Sequence, residues 1–477
     1  MADSFNSLPL ELNMIIAASI EGDKDFCNYR LICHATNDAV EGNGQSAWRH
    51  RFLNHFDPPR FKHKSGRPNT QLKALYQQRR KWLRRGTRFR MGLSRAEGEC
   101  LKVLRDLIAE CFSKDLNTRQ EGAKSTSRNL ECINEFVHTH DLLHKVLCPL
   151  GQYGEKKPDS LLTTIQLLLT PWSLDLDLDV PTFSFECSQK AVYETTTRMP
   201  IFEGLNRMDV NMDFALHIAN FFKYHLTRYD EHTLFEYFKD LAECENPKAW
   251  KGKLEDGAQK LGKYWKGSYV CGPAYLPREE IPDIRRLPTG DRIFMDHLNA
   301  EDNDCGFQVD RPARITLVLI LNYPPNNPNT ADARFKAKTR AQHRSGQTPE
   351  GEPISFRFDA DGRDNTEKFS ASGWLNPLPP QHGIPGWQRL TMMKFYEDDG
   401  GSGSYDPDGL WAYEGVVLPG GQIVLGRWWA VDHGIGDGDM YSGPFILWNV
   451  DGSAAGDDGE PDLEDADEEA DRIHIPH

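Results

Sequence analysis

The chain has 477 residues, of which 39% are hydrophobic, and a formal net charge of −15. This size and composition predict two or three packed cores and exclude a generally disordered polymer. No segment approaches the roughly 18 apolar residues of a membrane helix, and the first residues do not resemble a secretory signal. The ten cysteines form no C-x-x-C pair and no N-x-S/T sequon occurs, which predicts a reduced protein in the cytoplasm, the nucleus or both.

Three short helices are predicted at the start of the chain. Pro9 and Glu11 suit a first helical turn, because proline lacks an N–H that would stay unpaired there and a carboxylate favours the positive end of the helix dipole. Apolar residues then recur at helical spacing: Leu12, Ile15, Ile16 and Ile20. A second helix is predicted from Asp25 to Cys33, and a third carries Trp48, Phe52 and Phe56. Helices this short need a partner or further helices to be stable.

More helices are predicted through the middle of the chain. A helical span at 70–114 has Gly86 as a stop, and Ser94 with Glu97 forms a capping box. The later helical spans are 127–147, 160–169, 211–228 and 231–244. The segment 171–210 is mixed. We therefore expect a helical middle domain over 58–255.

Beyond Tyr264 the apolar period changes from 3.6 to 2, which predicts strands. The predicted strands are 265–271, 291–298, 313–323, 354–359, 389–397, 410–418, 421–430 and 443–450, and Pro419-Gly420-Gly421 joins two of them as a hairpin. A run of antiparallel strands predicts a closed or nearly closed barrel-like domain over 260–452, since closure removes exposed edges. Loops at 324–350 and 398–409 and a disordered acidic tail at 453–477 complete an α+β multidomain fold.

The N-terminal residues resemble the F-box. The matching residues are Leu8-Pro9, Glu11, Ile15-Ile16, an acidic spacer at Asp23 and Asp25, Leu31-x-Cys33 and Trp48-Arg49-x-x-Phe52. This resemblance implies a three-helix module over 1–57 that docks on a Skp-type adaptor, which joins a cullin–RING ubiquitin ligase. By position it assigns the adaptor contact to Leu8, Pro9, Leu12, Ile15, Ile16 and Leu31. The spacer from Glu41 to Ser46 is longer than in compact F-boxes, and an ordinary amphipathic helical start is the alternative.

The rest of the chain is similar to fungal-type F-box proteins. The similar blocks are 52–57, the basic helix ending near Gly86, 99–108, 383–389, 410–429 and 442–448. The resemblance implies a barrel-like C-terminal domain that holds a degradation target. It assigns no individual pocket residue.

Catalytic and metal motifs are missing from the sequence, which contains no G-x-S-x-G, H-E-x-x-H, Walker A or dinucleotide fingerprint. Asp359-Ala360-Asp361-Gly362 resembles the start of a calcium loop, but Arg363 and Ser370 occupy later ligand positions, so a turn is predicted. His140 and His144 stand one helical turn apart without a third zinc ligand. We therefore expect no enzyme activity, no cofactor and no metal site.

Aromatic residues and one arginine concentrate on two predicted strands, where Trp411, Arg427 and Trp428 are candidates for binding a target or ligand. Large rigid rings are enriched where proteins bind other chains. Filling of the barrel interior is the favoured alternative for the two tryptophans. By strand alternation Arg427 faces away from Trp428, so both line one interior only if a bulge intervenes.

The charge is distributed unevenly. Residues 60–95 contain thirteen Lys and Arg and no acid, while residues 451–477 contain eleven acids and one arginine, about −10. A solvated helix face is the favoured interpretation of the basic segment. Docking of an acidic protein segment, the chain's own tail included, comes second. Binding of nucleic acid, which Tyr76, Trp82 and Phe89 would assist, comes third.

The sequence thus predicts the non-catalytic substrate-recognition subunit of an SCF-type ligase in the ubiquitin-conjugation pathway. Residues 1–57 would anchor it to the Skp-type adaptor and the cullin–RING core, residues 58–255 would set a spacing, and residues 260–452 would recruit a protein target. No membrane partner is expected. The alternative is a small-ligand-binding or sensing barrel whose F-box-like segment does not act in a ligase.

Overall fold

The structure is a computed structural model and describes residues 5–59, 69–86, 89–113, 127–140, 142–143, 158–178, 185–194, 199–204, 207–229, 234–270, 320–322, 355–363, 368–396, 411–430 and 442–451. Several predictions lie outside these residues: the strand at 291–298, the loops at 324–350 and 398–409, His144 and the acidic tail. Helices dominate before residue 240 and strands after residue 264, so the predicted α+β class is confirmed.

Four short helices form the start of the chain, where the sequence predicts three. Among the residues described from Phe5 onward, the complete helices are α1 (Leu10–Ser19), α2 (Asp23–Arg30), α3 (His34–Glu41) and α4 (Ser46–His55), with a 3-10 turn at Asn43–Gln45. The three-helix prediction was wrong because α3 buries only small or medium side chains, which are Thr36, Ala39 and Val40. Its first turn is closed by the Thr36 hydroxyl, which accepts a hydrogen bond from the Cys33 N–H at 3.0 Å. We call α1–α4 the N-terminal unit.

Four further helices lie close to the predicted spans. They are α5 (Asn69–Arg85), α6 (Arg95–Glu110), α7 (Arg128–Thr139) and α8 (Ser160–Leu168). α5 ends at Gly86, whose φ of +53° is left-handed and whose N–H donates to the Trp82 carbonyl at 3.3 Å. At the start of α6, Ser94 and Glu97 form the predicted capping box. Local sequence therefore sets both of these helix ends.

The segment that the sequence leaves mixed contains several short elements. α9 (Thr170–Ser173), α10 (Phe185–Val192), β1 (Phe202–Glu203) and β2 (Asp209–Val210) precede α11 (Met212–Thr227) and α12 (Leu234–Lys239). α11 is buried along most of its length, because apolar residues occur on all its sides. It packs against α8, α10 and α12 and against the large sheet. α11 is thus the helix that joins the helical region to the strands.

The large sheet has eight described strands. They are β3 (Trp265–Tyr269), β4 (Ile320–Asn322), β5 (Phe356–Arg363), β6 (Lys368–Pro377), β7 (Gln388–Phe395), β8 (Trp411–Val417), β9 (Ile423–Ala430) and β10 (Ser442–Asn449). Their order is β3-β10-β9-β8-β7-β6-β5-β4, and all neighbours are antiparallel. The sheet curls like half of a barrel, which confirms an antiparallel, barrel-like architecture. In the described strands the order is open, with β3 and β4 at its ends.

The predicted hairpin between β8 and β9 is confirmed. The Leu418 N–H donates to the Ile423 carbonyl at 2.9 Å, and the φ angles of Gly420 and Gly421 are +88° and +65°. A Cβ at Gly420 would lie 2.1 Å from the Cβ of Trp250. This turn therefore requires glycine for its backbone angle and also for the close approach of the helical region.

Two features of the sheet were predicted wrongly. β6 was not predicted, because four of its ten residues, Ser370 to Gly373, are small and lack β-branching. Residues 359–362, predicted as a turn, lie inside β5 and pair with β6. Ala360 is buried and the Asp359 side chain is 46% exposed, which is the alternation of a strand.

Strands β8–β10 are buried on both faces. Val416, Leu425 and Ile446 belong to a large core that they share with the helices. Their neighbours in sequence, Val417, Val424 and Leu447, belong to a second core on the concave face. Adjacent residues thus point into different cores, and the helices cover one face of this part of the sheet.

Candidate functional site

The N-terminal unit exposes large apolar side chains at most of the predicted adaptor-contact positions. Leu12, Ile15 and Leu31 are 45%, 63% and 71% exposed, and Pro9 is also exposed. The neighbouring Leu10 and Ile32 are exposed as well, whereas Leu8 and Ile16 are partly buried. We define the N-terminal apolar surface as Leu10, Leu12, Ile15, Leu31 and Ile32.

Helix α1 buries one polar side chain and exposes several aliphatic ones. Its buried residues are Ala17 and Asn13, and the Asn13 amide donates to the Phe5 carbonyl at 3.0 Å while its Oδ1 accepts from the Tyr29 hydroxyl at 2.8 Å. These bonds satisfy the buried amide. In contrast, Ile15 faces outward, although its side chain is fully apolar and would suit a core position. This arrangement suits a helix whose aliphatic side is covered by another chain.

Contacts within the unit bring the two parts of the apolar surface towards each other. α1 packs on α3, and the Asn6 side chain accepts a hydrogen bond from the Ala35 N–H at 3.4 Å. The rings of Phe5 and Tyr29 stand edge to face at 5.7 Å. Leu31 and Ile32 lie a few residues before Ala35, and Ala35 contacts Asn6 in the segment that leads into α1.

The apolar surface is concentrated in one region. Five of the nine exposed large hydrophobic residues in the described part of the chain lie between Leu10 and Ile32. Covering five half-exposed aliphatic side chains contributes about 1 kcal/mol each, or about 5 kcal/mol before the costs of association. Isolated exposed leucines are ordinary, whereas grouped ones are typical of interaction surfaces, so this region is the candidate site.

Behind this surface, one carboxylate ties the N-terminal unit to α5. Oδ1 of Asp23 accepts from Arg51 Nε at 3.0 Å, from Arg51 Nη2 at 2.7 Å and from the Tyr76 hydroxyl at 2.5 Å. Its Oδ2 accepts from Arg80 Nε at 2.9 Å and from Arg84. We call these five residues the Asp23 cluster. It joins α2, α4 and α5 through residues that are distant in sequence.

The cluster holds the Asp23 carboxylate ionised. Burial raises the pKa of Asp23, but hydrogen bonds from Tyr76, Arg51 and Arg80 outweigh it, so the pKa lies well below its ordinary value. Burial and the hydrogen bond to Asp23 raise the pKa of Tyr76. The Arg51 side chain is only 5% exposed and also donates to the carbonyls of Ile20 and Glu21, both at 2.7 Å. The turn between α1 and α2 is therefore fixed onto α4.

Other basic residues of α5 are also used internally. Lys73 pairs with Glu41 of α3 at 2.6 Å. Arg79 is buried, pairs with Glu110 of α6, and stacks 5.3 Å and 5.1 Å from the ring centroids of Phe52 and Phe56. The favoured interpretation of the basic segment as a solvated face was therefore wrong for Arg79, which joins α4, α5 and α6.

A cavity of about 330 Å³ lies between α1 and α4. Its lining residues are Ala17, Ala18, Ile20, Glu21, Ala47, His50, Arg51, Asn54 and His55. Small side chains leave the space, and polar groups border it, with Asn54 Nδ2 placed 3.2 Å from His50 Nδ1. Burial lowers the pKa of His55, which favours its neutral form. The cavity offers a recess on the same helix that carries Leu12 and Ile15.

The structure separates the three residues predicted for target binding. Trp411 and Trp428 stand edge to face at 5.2 Å on the concave face of the sheet. Arg427 points to the opposite face, where it is buried, donates to the Val192 carbonyl at 3.1 Å and lies 4.8 Å from the ring of Phe214. No bulge reverses the alternation, so Arg427 does not share the concave face with the tryptophans.

A buried lysine, which the sequence did not single out, lies on that face instead. Lys394 Nζ is 4.3 Å, 4.9 Å and 5.7 Å from the rings of Phe369, Tyr396 and Tyr269. Its partner across the β7–β8 ladder is Trp411. The sequence does contain an indication of this burial, because Lys394 lies two and four residues after Met392 and Leu390 and therefore on the same face of β7. A lysine at such a position is nevertheless usually expected to face solvent.

The chain matches no family model, no curated protein and no solved structure. Within the described ranges, no group of three or more His, Cys, Asp or Glu side chains could hold a metal ion. The helices of the described part are each too short or too polar to cross a bilayer. The features of the described residues that bear on function are the apolar surface, the Asp23 cluster and the concave face of the sheet.

Proposed function

We propose that this protein is the substrate-recognition subunit of an SCF-type cullin–RING ubiquitin ligase. The observation that carries the proposal is the N-terminal apolar surface. Three of its five residues, Leu12, Ile15 and Leu31, are positions that the F-box resemblance assigns to the adaptor contact, and Ile15 and Leu31 are its most exposed members. The partner is a Skp-type adaptor whose own apolar groups cover this surface.

The mechanism that fits this assignment is proximity. A receptor that binds the adaptor with one part and a target with another raises the effective concentration of a target lysine near the charged conjugating enzyme. Bond-making groups are then supplied by other subunits. The ion pairs behind the surface fit this mechanism, because Arg80 and Arg84 hold Asp23 of the N-terminal unit on α5 and Arg79 holds α5 on α6 through Glu110.

Target selection is assigned to the C-terminal sheet, and within it to the end of the concave face that holds Trp411 and Lys394. Trp411 is only partly buried there, so its ring is available to another chain. The sensing of a small molecule by the same sheet is the weaker alternative. Side chains deeper in the concave face, such as Trp265 and Phe358, are fully buried and pack together as one core.

The proposal is tested by copurification of a Skp-type adaptor with Ile15→Asp and Leu31→Asp variants. A carboxylate at these positions costs little in the free protein, because both side chains face solvent, but it would be buried without a partner in the adaptor contact. We expect each variant to lower adaptor recovery at least about tenfold, equivalent to about 1.4 kcal/mol or more.

A matched control is Leu93→Asp, since Leu93 is 56% exposed and lies outside the N-terminal unit. Recovery of the adaptor with this variant should equal that with the unaltered protein. Equal recovery with all three variants would contradict the assignment, and so would a complete lack of adaptor binding by the unaltered protein.

A further inference from the structure

The C-terminal half of α5 presents a basic face with an indole at its centre. Lys81, Arg84 and Arg85 are exposed, and Trp82 is partly buried between them. The Lys81 ammonium lies 5.1 Å and the Arg85 guanidinium 5.8 Å from the centroid of the Trp82 ring. Both cations are thus held beside an aromatic surface while they remain open to solvent. We call Lys81, Trp82, Arg84 and Arg85 the α5 basic face.

Positive charge is in excess at this end of α5. The helix contains six Lys and Arg residues and no acid. In the Asp23 cluster one carboxylate faces three guanidinium groups, a net charge of about +2. Lys81 and Arg85 add to this excess. At physiological ionic strength a field of this kind acts over about 8 Å, which is enough to select an acidic chain in direct contact.

The same protein carries a complementary segment. Residues 452–477 contain ten acids and one arginine, a net charge of about −9. They start next to Asp451, whose carboxylate accepts from the N–H groups of Lys263 and Tyr264 at 2.9 Å and 2.5 Å. Fully extended, the 26 residues of this segment span up to about 86 Å. A globular protein of 477 residues is roughly 60 Å across. The segment is therefore long enough to cover a distance comparable with the diameter of such a molecule.

We propose that residues 452–477 bind the α5 basic face and shield it from other acidic chains. The carboxylates pair with Lys81, Arg84 and Arg85. Tethering gives the segment an effective concentration of the order of millimolar, so a weak contact suffices to keep the face occupied. This contact does not depend on adaptor binding.

The test uses a labelled synthetic peptide that has the sequence of residues 452–477. Fluorescence anisotropy measures how tightly two proteins bind this peptide. The proteins are the unaltered full chain and a full-length neutral-tail variant, in which the ten Asp and Glu residues of 452–477 are replaced by Asn and Gln. We expect the neutral-tail variant to bind the peptide at least about tenfold more tightly, because its face is not occupied by the tethered segment.

Two charge reversals in the neutral-tail background then locate the contact. Lys81→Glu with Arg85→Glu should weaken peptide binding at least about tenfold, because both cations would repel the acidic peptide. Lys251→Glu with Lys253→Glu is the matched control, since both lysines are exposed and the charge change is the same. This control should change affinity by less than about twofold, as expected for a surface that the peptide does not contact.

Three outcomes would overturn the inference. One is equal peptide binding by the unaltered and neutral-tail proteins. Another is an equal loss of binding in the two charge-reversed variants. The third is binding of a single-stranded RNA probe through Lys81 and Arg85 with the same affinity in the unaltered and neutral-tail proteins, which would identify nucleic acid as the occupant of the face.

Discussion

Replacing Asp23 by Asn should loosen the N-terminal unit from α5. The substitution keeps a side-chain carbonyl that accepts a hydrogen bond from the Tyr76 hydroxyl, but it removes the negative charge that Arg51, Arg80 and Arg84 share. The arginines then repel one another. Since the carboxylate links α2, α4 and α5, its neutralisation should affect the attachment of the whole unit.

The magnitude follows from the burial of the three arginines. Arg51 is 5% exposed, and removing the partner of a buried ion costs about 3–5 kcal/mol. The two carbonyls that Arg51 also contacts, those of Ile20 and Glu21, keep the loss near the lower end. Arg80 and Arg84 are 26% and 55% exposed, so each contributes at most about 1 kcal/mol. We expect a loss of about 3 kcal/mol.

The measurement is urea unfolding combined with hydrogen exchange, which reports whether α1–α4 open separately from the sheet. Asp25→Asn is the matched control, because Asp25 is exposed in the same first turn of α2. This control should lose less than about 1 kcal/mol, mainly through the helix dipole.

The pH dependence gives a second readout. Because the folded-state pKa of Asp23 is depressed, its stabilisation is fully present above the unfolded pKa of about 3.9 and is lost as pH falls further. The stability difference between the unaltered protein and Asp23→Asn should therefore shrink below about pH 4. A loss under about 1 kcal/mol, or one equal to that of Asp25→Asn, would refute the role assigned to the cluster.

Arg427→Ala should cost about 2–3 kcal/mol in urea unfolding, because it leaves the Val192 carbonyl without this donor between the helices and the sheet; no change would refute that contact. Gly426→Ala should destabilise the protein, since the new Cβ would lie 2.4 Å from a backbone oxygen of the adjacent strand. Gly98→Ala in α6 should instead raise Tm and stabilise the protein by about 0.5–1 kcal/mol, because open space surrounds this position. Burial lowers the pKa of His217 to about 4. The free energy of unfolding should therefore fall by about 2 kcal/mol when the pH is lowered from 7 to 5, because the unfolded chain binds the proton more tightly. His217→Gln should abolish that part of the pH profile.

Elements with local signals were predictable from the sequence. Ser94 and Glu97 close the first turn of α6 by themselves, and Gly420 and Gly421 permit a turn that few other residues allow. The strands of the C-terminal sheet that alternate large apolar residues were found for the same reason. α3 lacked such a signal, because its core consists of small residues and its N-cap is a cysteine.

Features that depend on residues distant in sequence were not predictable. Asp23 and Arg80 are 57 positions apart, and no periodicity connects them. β6 is recognised as a strand only through its pairing with β5 and β7 on either side. Lys394 lies on the buried face of β7 because alternate residues of the strand share that face. Predicting this would have required giving the strand alternation more weight than the usual preference of lysine for water.

The candidate site was likewise predictable in part from the sequence. The positions proposed for adaptor contact came from a residue pattern, and the structure shows Leu12, Ile15 and Leu31 exposed while Ile16 is partly buried. The pattern could not show which side of α1 faces the protein, because that depends on the buried amide of Asn13 and its bond to Tyr29.

The central claim is tested most directly by isothermal titration of the purified full-length protein with a purified Skp-type adaptor. We predict a one-to-one complex with a submicromolar Kd and a negative heat-capacity change, the sign of apolar burial. Ile15→Asp should abolish the heat signal and Leu93→Asp should leave it unchanged. No complex at concentrations of tens of micromolar, or the same affinity for both variants, would contradict the account.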